Sequence, residues 1–216
     1  MSTSVFSLLV KRRFGPFFFT QFLGAFNDNV FRQALILLIA SGVVAGTEVN
    51  TLNNVALALF ILPFFLFSAL AGQLADKYDR AMLVRRIKLV EIFIMTFAAV
   101  GFFFNAVYFL LAVLFCMGLQ STFFGPIKYS IIPQHLPSRE LVSGNALVEM
   151  GTFLAILLGS ISGVLLKMDA ADPLIVSAVV VGLAALGYLA ARGIPKAPAA
   201  DPGMKINWNL WRETWH

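Results

Sequence analysis

Apolar residues run through this chain in six blocks, each close to the ~20 residues that a helix needs to cross the hydrocarbon of a bilayer, with short polar stretches between them. The blocks predict helices at roughly 16–41, 52–73, 84–104, 107–127, 142–166 and 173–192. The first block is broken in a telling way. Its stretch FLGAFNDNVFRQALILLIA, from Phe22 to Ala40, carries Asn27, Asp28, Asn29 and Arg32 near its middle. A charge at mid-bilayer costs about 2.5–3.5 kcal/mol on insertion scales, so such residues are not incidental decoration. On a helix, Gln21, Gly24, Ala25, Asp28 and Arg32 follow i, i+3, i+4 spacing and share one face, with Asn29 and Gln33 flanking it. Asp28 four residues before Arg32 is also the favourable order for an intrahelical ion pair, which would partly neutralise both charges.

Composition makes the membrane assignment firm. Of 216 residues, 59% are hydrophobic and only 12% charged, and the mean hydropathy of +0.85 is far from that of a soluble domain. The bases are unevenly placed. Lys11, Arg12 and Arg13 precede the first span; Lys77, Arg80, Arg85, Arg86 and Lys88 fall between the second and third. Lys128 and Arg139 fall between the fourth and fifth, and Arg192, Lys196, Lys205 and Arg212 follow the sixth, whereas the alternate connections carry only Lys167. By the positive-inside rule both termini are cytoplasmic, with the 74–86 and 128–141 loops inside and the 42–51 and 167–172 loops outside. The net charge of +5 is therefore a topology signal and not a nucleic-acid surface. The first span is too long and too polar for a signal-peptide core, lacks an A-x-A-like cleavage site, and reads as retained. Cys116 is the single cysteine, so neither a disulfide framework nor a cysteine-based metal site is available.

Residues 1–192 thus read as one transmembrane bundle. The segment 193–216 turns Pro- and Ala-rich and reads as a cytoplasmic linker. Trp208, Trp211 and Trp215 recur at three to four residues near its end, which suits either a short interfacial amphipathic helix or a flexible tail. Inside the bundle, Ser68 and Gly72 in the second span and Gly159 and Gly163 in the fifth set small residues four apart. This spacing lets helix backbones approach where lipid supplies no hydrophobic drive. The second and fifth spans are equivalent if the six helices form two inverted repeats of three, an arrangement of secondary transporters. The fold class is accordingly an all-α membrane protein.

The loop GQLADKYDRAMLVRR at 72–86 resembles the signature loop between helices two and three of the major facilitator superfamily. Gly72, Leu74, Asp76, Lys77 and Arg80 stand at its offsets. Here Gly72 permits a tight exit from the bilayer, Asp76 can cap or favour the start of the next helix, and Lys77 and Arg80 anchor at the anionic leaflet. Asp79 departs from the pattern, where the superfamily often has Gly. Together with GAFNDNVFRQAL at 24–35 and FFGPIKYSIIPQHL at 123–136, the loop resembles the bacterial lysophospholipid transporter family. That resemblance implies movement of lysophospholipids, chiefly lysophosphatidylethanolamine, from the outer to the inner leaflet of a bacterial inner membrane, supplying an acyltransferase that restores the diacyl lipid. It also implies twelve helices in two halves, of which this chain holds the first half and part of the linker. A second six-helix half is therefore expected as partner, from the same gene, a separate chain or self-association.

The resemblance places helices one and four around a central cavity. Gln21, Asp28, Asn29 and Arg32 from the first span, Gln120 with Ser121 and Thr122 from the fourth, and Glu149 with Asn145 and Thr152 from the fifth are the candidate substrate contacts. A zwitterionic headgroup needs an anion for its ammonium and donors for its phosphate, and the planar guanidinium can donate twice. Each candidate has a plainer alternative. Asp28 and Arg32 can be a structural ion pair, Glu91 and Glu149 can salt-bridge to loop bases such as Arg85, Arg86 or Arg139, and Lys128 can be a snorkelling anchor. A membrane enzyme is a different class. His135 stands five residues before Glu140, near the spacing of glycerolipid acyltransferases, but the acid is Glu, Pro137 interrupts the spacing, and no soluble catalytic fold accompanies it. No nucleotide loop, zinc spacing or Ser/His/Asp set is visible, so neither cofactor nor metal is called for. A facilitator of another small or amphiphilic substrate, and a non-transporting membrane scaffold or fragment, complete the alternatives. The scaffold leaves the charges of the first span unexplained.

Overall fold

The computed structural model describes residues 5–42, 49–168 and 173–207, the side chains of residues 167 and 168 excepted. The stretch carrying Trp208, Trp211 and Trp215 lies outside the described residues, as does most of the expected 42–51 and 167–172 loops. A 3-10 helix, Val5–Val10, leads into α1 (Gly15–Ala40), α2 (Val49–Lys77), α3 (Arg80–Phe103) and α4 (Val107–Ser130). The short α5 (Ile132–His135), α6 (Ser138–Met168) and α7 (Pro173–Arg192) complete the described residues, which contain no strand.

Pro16 sits in the first turn of α1, where its missing N–H is no loss. Four helices, α2, α4, α6 and α7, are long and apolar enough to cross a membrane by length and composition. The other two predicted spans are α1, with 26 residues, and α3, with 24. At 1.5 Å per residue they are about 39 and 36 Å long, enough for a core of about 30 Å, but they hold the interior charges. Large apolar side chains face outward instead: Phe65, Phe93, Phe97 and Phe153 are each more than half exposed.

Helix α1 packs along α6 and α7, α2 along α4, and α3 along α7 and α4. Glycines set the closest approaches. A Cβ at Gly159 would stand 2.5 Å from the Phe26 carbonyl oxygen, one at Gly163 would stand 2.8 Å from that of Val30, and one at Gly118 would stand 2.4 Å from that of Phe60. Gly159 and Gly163 thus do bring α1 and α6 together. The matching pattern in α2 makes no such contact: Ser68 is exposed and no atom lies within 4 Å of where a Gly72 Cβ would be. Small-residue spacing permits an approach, and only a partner backbone uses it.

The loop after α2 also differs from its expected roles. Helix α2 runs on to Lys77, so Gly72 is a helical residue and forms no turn. The N-cap of α3 is Asp79, not Asp76; its Oδ1 accepts from the Met82 N–H at 2.8 Å, at an ordinary φ of −56°. The side-chain acceptor that Asp supplies and Gly lacks is what the cap uses. Asp76 instead pairs with Arg80 at 3.2 Å. Arg80 is 4% exposed and donates to the Pro198 carbonyl, so it is not a leaflet anchor. Lys77 lies over the Tyr78 ring, and the Leu74 carbonyl accepts from the Tyr78 N–H.

The chain beyond α7 returns across this end of the bundle as a strap. Ala197 donates to Asp79 Oδ2 and accepts from the Arg80 N–H, and Asp201 N–H donates to the Asp76 carbonyl. Arg85 donates to the Ile194 carbonyl, Gln134 to that of Pro198, and the Asn207 N–H to Gln73. Asp79→Ala removes the α3 cap and one strap bond together. It is expected to cost about 1 kcal/mol and to speed tryptic cleavage after Lys196 and Lys205; an unchanged digestion rate would show that Asp79 does not hold the strap.

Candidate functional site

Inside the bundle a cavity of about 290 Å³ is lined by residues of α1, α2, α3, α4 and α6. Its polar side is formed by Gln21, Asp28, Lys88, Glu91, Gln120, Ser121, Lys128 and Thr152, and its apolar side includes Phe60, Phe64 and Phe124. Such a pairing of aromatic wall and convergent polar groups suits an amphiphile.

The sequence explains why α3 can bring charges here. Starting at Arg80, the helix carries Lys88 and Glu91 one turn apart on the face that meets α1 and α4. Lys88 Nζ donates to Glu91 Oε2 at 2.5 Å, with both side chains 2% exposed, and lies 5.4 Å from the centre of the Phe124 ring. Gly24 of α1 makes room for it: a Cβ there would stand 2.2 Å from Lys88 Nζ. Gln120 Nε2 donates to the same Glu91 oxygen at 3.1 Å. Ser121 Oγ donates to Asp28 Oδ2 at 2.9 Å and reaches Gln120 Oε1 at 3.3 Å. One oxygen of each acid, Asp28 Oδ1 and Glu91 Oε1, is buried without a hydrogen-bond partner. In ionised form the three charged groups sum to one negative charge in a low-dielectric setting, where an unpaired acceptor is costly and a cationic ligand is strongly favoured.

A second cluster lies along α4 and α6. Lys128 Nζ donates to Thr152 Oγ1 at 2.9 Å and pairs with Glu149 at 3.2 Å, while Tyr129 also donates to Glu149. Thr152 Oγ1 in turn donates to Gln21 Oε1 at 3.1 Å, and Gln21 Nε2 donates to the Val148 carbonyl at 3.2 Å. Lys128 is therefore both held in place and on the cavity wall, more than a snorkelling anchor.

Of the residues expected at the site, Gln21, Asp28 and Gln120 line the cavity; Asn29, Arg32 and Glu149 are not among its lining residues. The Asp28–Arg32 ion pair does not form. Arg32 donates to Asn29 Oδ1 at 2.6 Å and lies 6.0 Å from the Phe60 ring centre, because rotation about the helix brings Asn29, three residues earlier, within easier reach, while Asp28 turns to Ser121. Asn29 donates back to the Ala25 carbonyl. Asn145 is exposed. Glu149 pairs with Lys128 and not with Arg85, Arg86 or Arg139. The outlying His135 and Glu140 serve the bundle's end: His135 meets the Lys196 carbonyl, and Glu140 pairs with Lys11 and Arg13.

The family model for the Major Facilitator Superfamily matches residues 17–215. The chain belongs to the major facilitator superfamily. It is also similar to proteins named Lysophospholipid transporter LplT: 31% identical over 199 residues to that of Escherichia fergusonii, covering 90% of this chain and 45% of the relative. To that of Klebsiella pneumoniae subsp. pneumoniae it is 32% identical over 187 residues, covering 85% and 43%, and to that of Salmonella heidelberg 32% over 192 residues, covering 88% and 44%. The chain spans less than half the length of these curated relatives. It is a facilitator-superfamily membrane protein, of a transporter family and not an enzyme family.

Sequence reasoning on this facilitator chain missed the aromatic wall of Phe60, Phe64 and Phe124 and the place of Lys128 on the cavity, and above all the buried pair of Lys88 and Glu91. Lys88 read as a loop base beyond the second span, and Glu91 as a partner for loop arginines. A signal was present: an oppositely charged pair three residues apart at the head of an apolar run forms a helix-surface pair that can be buried together. What hid it was tertiary: both residues already lie within the expected 84–104 span, but only the facing Gly24 of α1 and Gln120 of α4 make an inward position for them.

Proposed function

We propose that this chain forms a six-helix half of a secondary transporter that moves lysophospholipids, chiefly lysophosphatidylethanolamine, across a bacterial inner membrane by alternating access. The observation that carries this reading is the cavity itself. An ammonium group meets Asp28, whose Oδ1 has no partner, the phosphate meets the ammonium groups of Lys88 and Lys128, and the aromatic wall of Phe60, Phe64 and Phe124 accepts the start of the acyl chain. The relatives' names give lysophospholipid as the substrate class.

The helix pairing supports two inverted three-helix repeats, α1–α3 and α4, α6, α7. In that scheme α1 corresponds to α4 and α2 to α6, so the α1–α6 contact has its counterpart in α4–α2, and α1–α7 has its counterpart in α4–α3; all four contacts are present. Both termini lie in the cytoplasm, and residues 193–216 form the linker to a second half. Alternating access rocks one half against the other about a midplane site, so the cavity here is one wall of the full site. Gly72, Leu74, Asp76 and Lys77 at the end of α2 and Arg80 at the start of α3 form the inside switch region, with the strap bonded to Asp76 and Arg80. An acyltransferase is the natural consumer of the delivered lysolipid.

The test is uptake of fluorescent lysophosphatidylethanolamine into proteoliposomes. Chain assembled with a complementary second half is expected to bring label to the inner leaflet, and monomeric chain alone is expected to stay near the protein-free background. Robust uptake by the demonstrably monomeric chain, or none by the assembled pair, defeats the proposal. A cysteine placed at Arg139 on a Cys116→Ser background should be labelled from the cytoplasmic side alone; periplasmic labelling would reverse the topology.

A further inference from the structure

A second hollow lies between α3 and α4, on the face turned away from the polar cavity. It encloses about 430 Å³ and is lined by Arg86, Ile87, Val90 and Ile94 of α3 and Cys116, Leu119, Gln120 and Phe123 of α4. The two lining stripes follow helical spacing: 86, 90 and 94 on α3, and 116, 119, 120 and 123 on α4. Lys88 leaves α3 from the opposite side, Glu91 borders the stripe one turn after Ile87, and Gln120 is the shared wall, its amide turned inward to Glu91. The groove is open to the bundle's exterior, with Val90 49% exposed, so within a membrane it fills from lipid.

One end of the groove is charged. Arg86 is exposed and makes no side-chain hydrogen bond or ion pair among the described residues. Its neighbour Arg85, by contrast, is spent on the Ala191 and Ile194 carbonyls. Arg86 lies six residues into α3, about 9 Å along the axis, and Ile94 lies about 12 Å beyond it. The groove therefore begins near the bundle's basic end and rises into the apolar layer, the order in which a phospholipid presents phosphate and then acyl chain. A guanidinium at the interface binds phosphate in bidentate fashion, and a net anionic headgroup leaves no tethered cation to compete with it.

We infer that the α3–α4 groove is a binding site for an anionic glycerophospholipid, with its phosphate on Arg86 and one acyl chain along Val90, Ile94, Cys116 and Leu119. This site is separate from the transport cavity and stands whether or not the chain moves lysolipids. Cys116, the chain's only cysteine, is free and exposed in the groove wall and reports occupancy directly.

In detergent, alkylation of Cys116 by N-ethylmaleimide is followed by intact-mass measurement while phosphatidylglycerol or phosphatidylcholine of identical acyl chains is titrated in. Phosphatidylglycerol is expected to slow alkylation at least fivefold at concentrations where phosphatidylcholine slows it less than twofold. Arg86→Gln should bring the two curves together, and Arg86→Lys, which keeps the charge, should retain most of the preference. Equal protection by the two lipids, no protection by either, or an undiminished preference in Arg86→Gln would each overturn the site.

Discussion

Lys88→Met should destabilise the bundle by roughly 3–5 kcal/mol, the cost of leaving a buried charge without its partner. Glu91 is 1% exposed; without the ammonium group it keeps only the Gln120 amide on Oε2, and Oε1 already has no partner. Methionine fills nearly the same channel beside Gly24 and Phe124, so lost packing contributes little. The diagnostic companion is Lys88→Met with Glu91→Gln, which removes both charges and should recover most of the loss, since a buried pair and its neutral replacement are often close in stability. Reversible unfolding in mixed micelles, followed by far-UV circular dichroism of the helices, provides the comparison. A single variant within about 1 kcal/mol of the parent would mean that Lys88 does not compensate Glu91.

The second large effect concerns transport and not folding. In an assembled two-half transporter, Asp28→Asn should lower lysophosphatidylethanolamine uptake at least tenfold at matched membrane abundance. Asparagine preserves shape and an acceptor for Ser121 but gives up the negative charge that the substrate ammonium requires, and a charge-assisted bond is roughly twice as strong as a neutral one. Stability should change little, because Asp28 has no ion-pair partner among the described residues. Arg32→Lys should be milder, since Arg32 is not among the cavity's lining residues and is held by Asn29 and against the Phe60 ring. Near-normal uptake in Asp28→Asn would remove Asp28 from the binding site. Loss of uptake equal to that of Asp28→Asn in Arg32→Lys would instead draw the guanidinium into the binding step.

Hydropathy was enough to place α4 and α7 to within a few residues and to establish a membrane protein, because each crossing must supply its own run of apolar residues and close its own backbone hydrogen bonds. The same local rule marked the polar face of α1, and Gln21, Asp28 and Gln120 do reach the cavity. Family membership, too, was legible from the loop at 72–86. Tertiary structure decided which charges meet. Asp28 bonds to Ser121, 93 residues away, and not to the nearby Arg32; Lys88 and Glu91 turn inward because Gly24 and Gln120, from two other helices, accept them. It also decided that Asp79 and not Asp76 caps α3, since the cap belongs to whichever side chain stands at the helix start once the strap has fixed the turn. Periodicity is a property of one helix, but the partner of a buried charge is chosen by the facing helices, whose glycines determine how closely they approach.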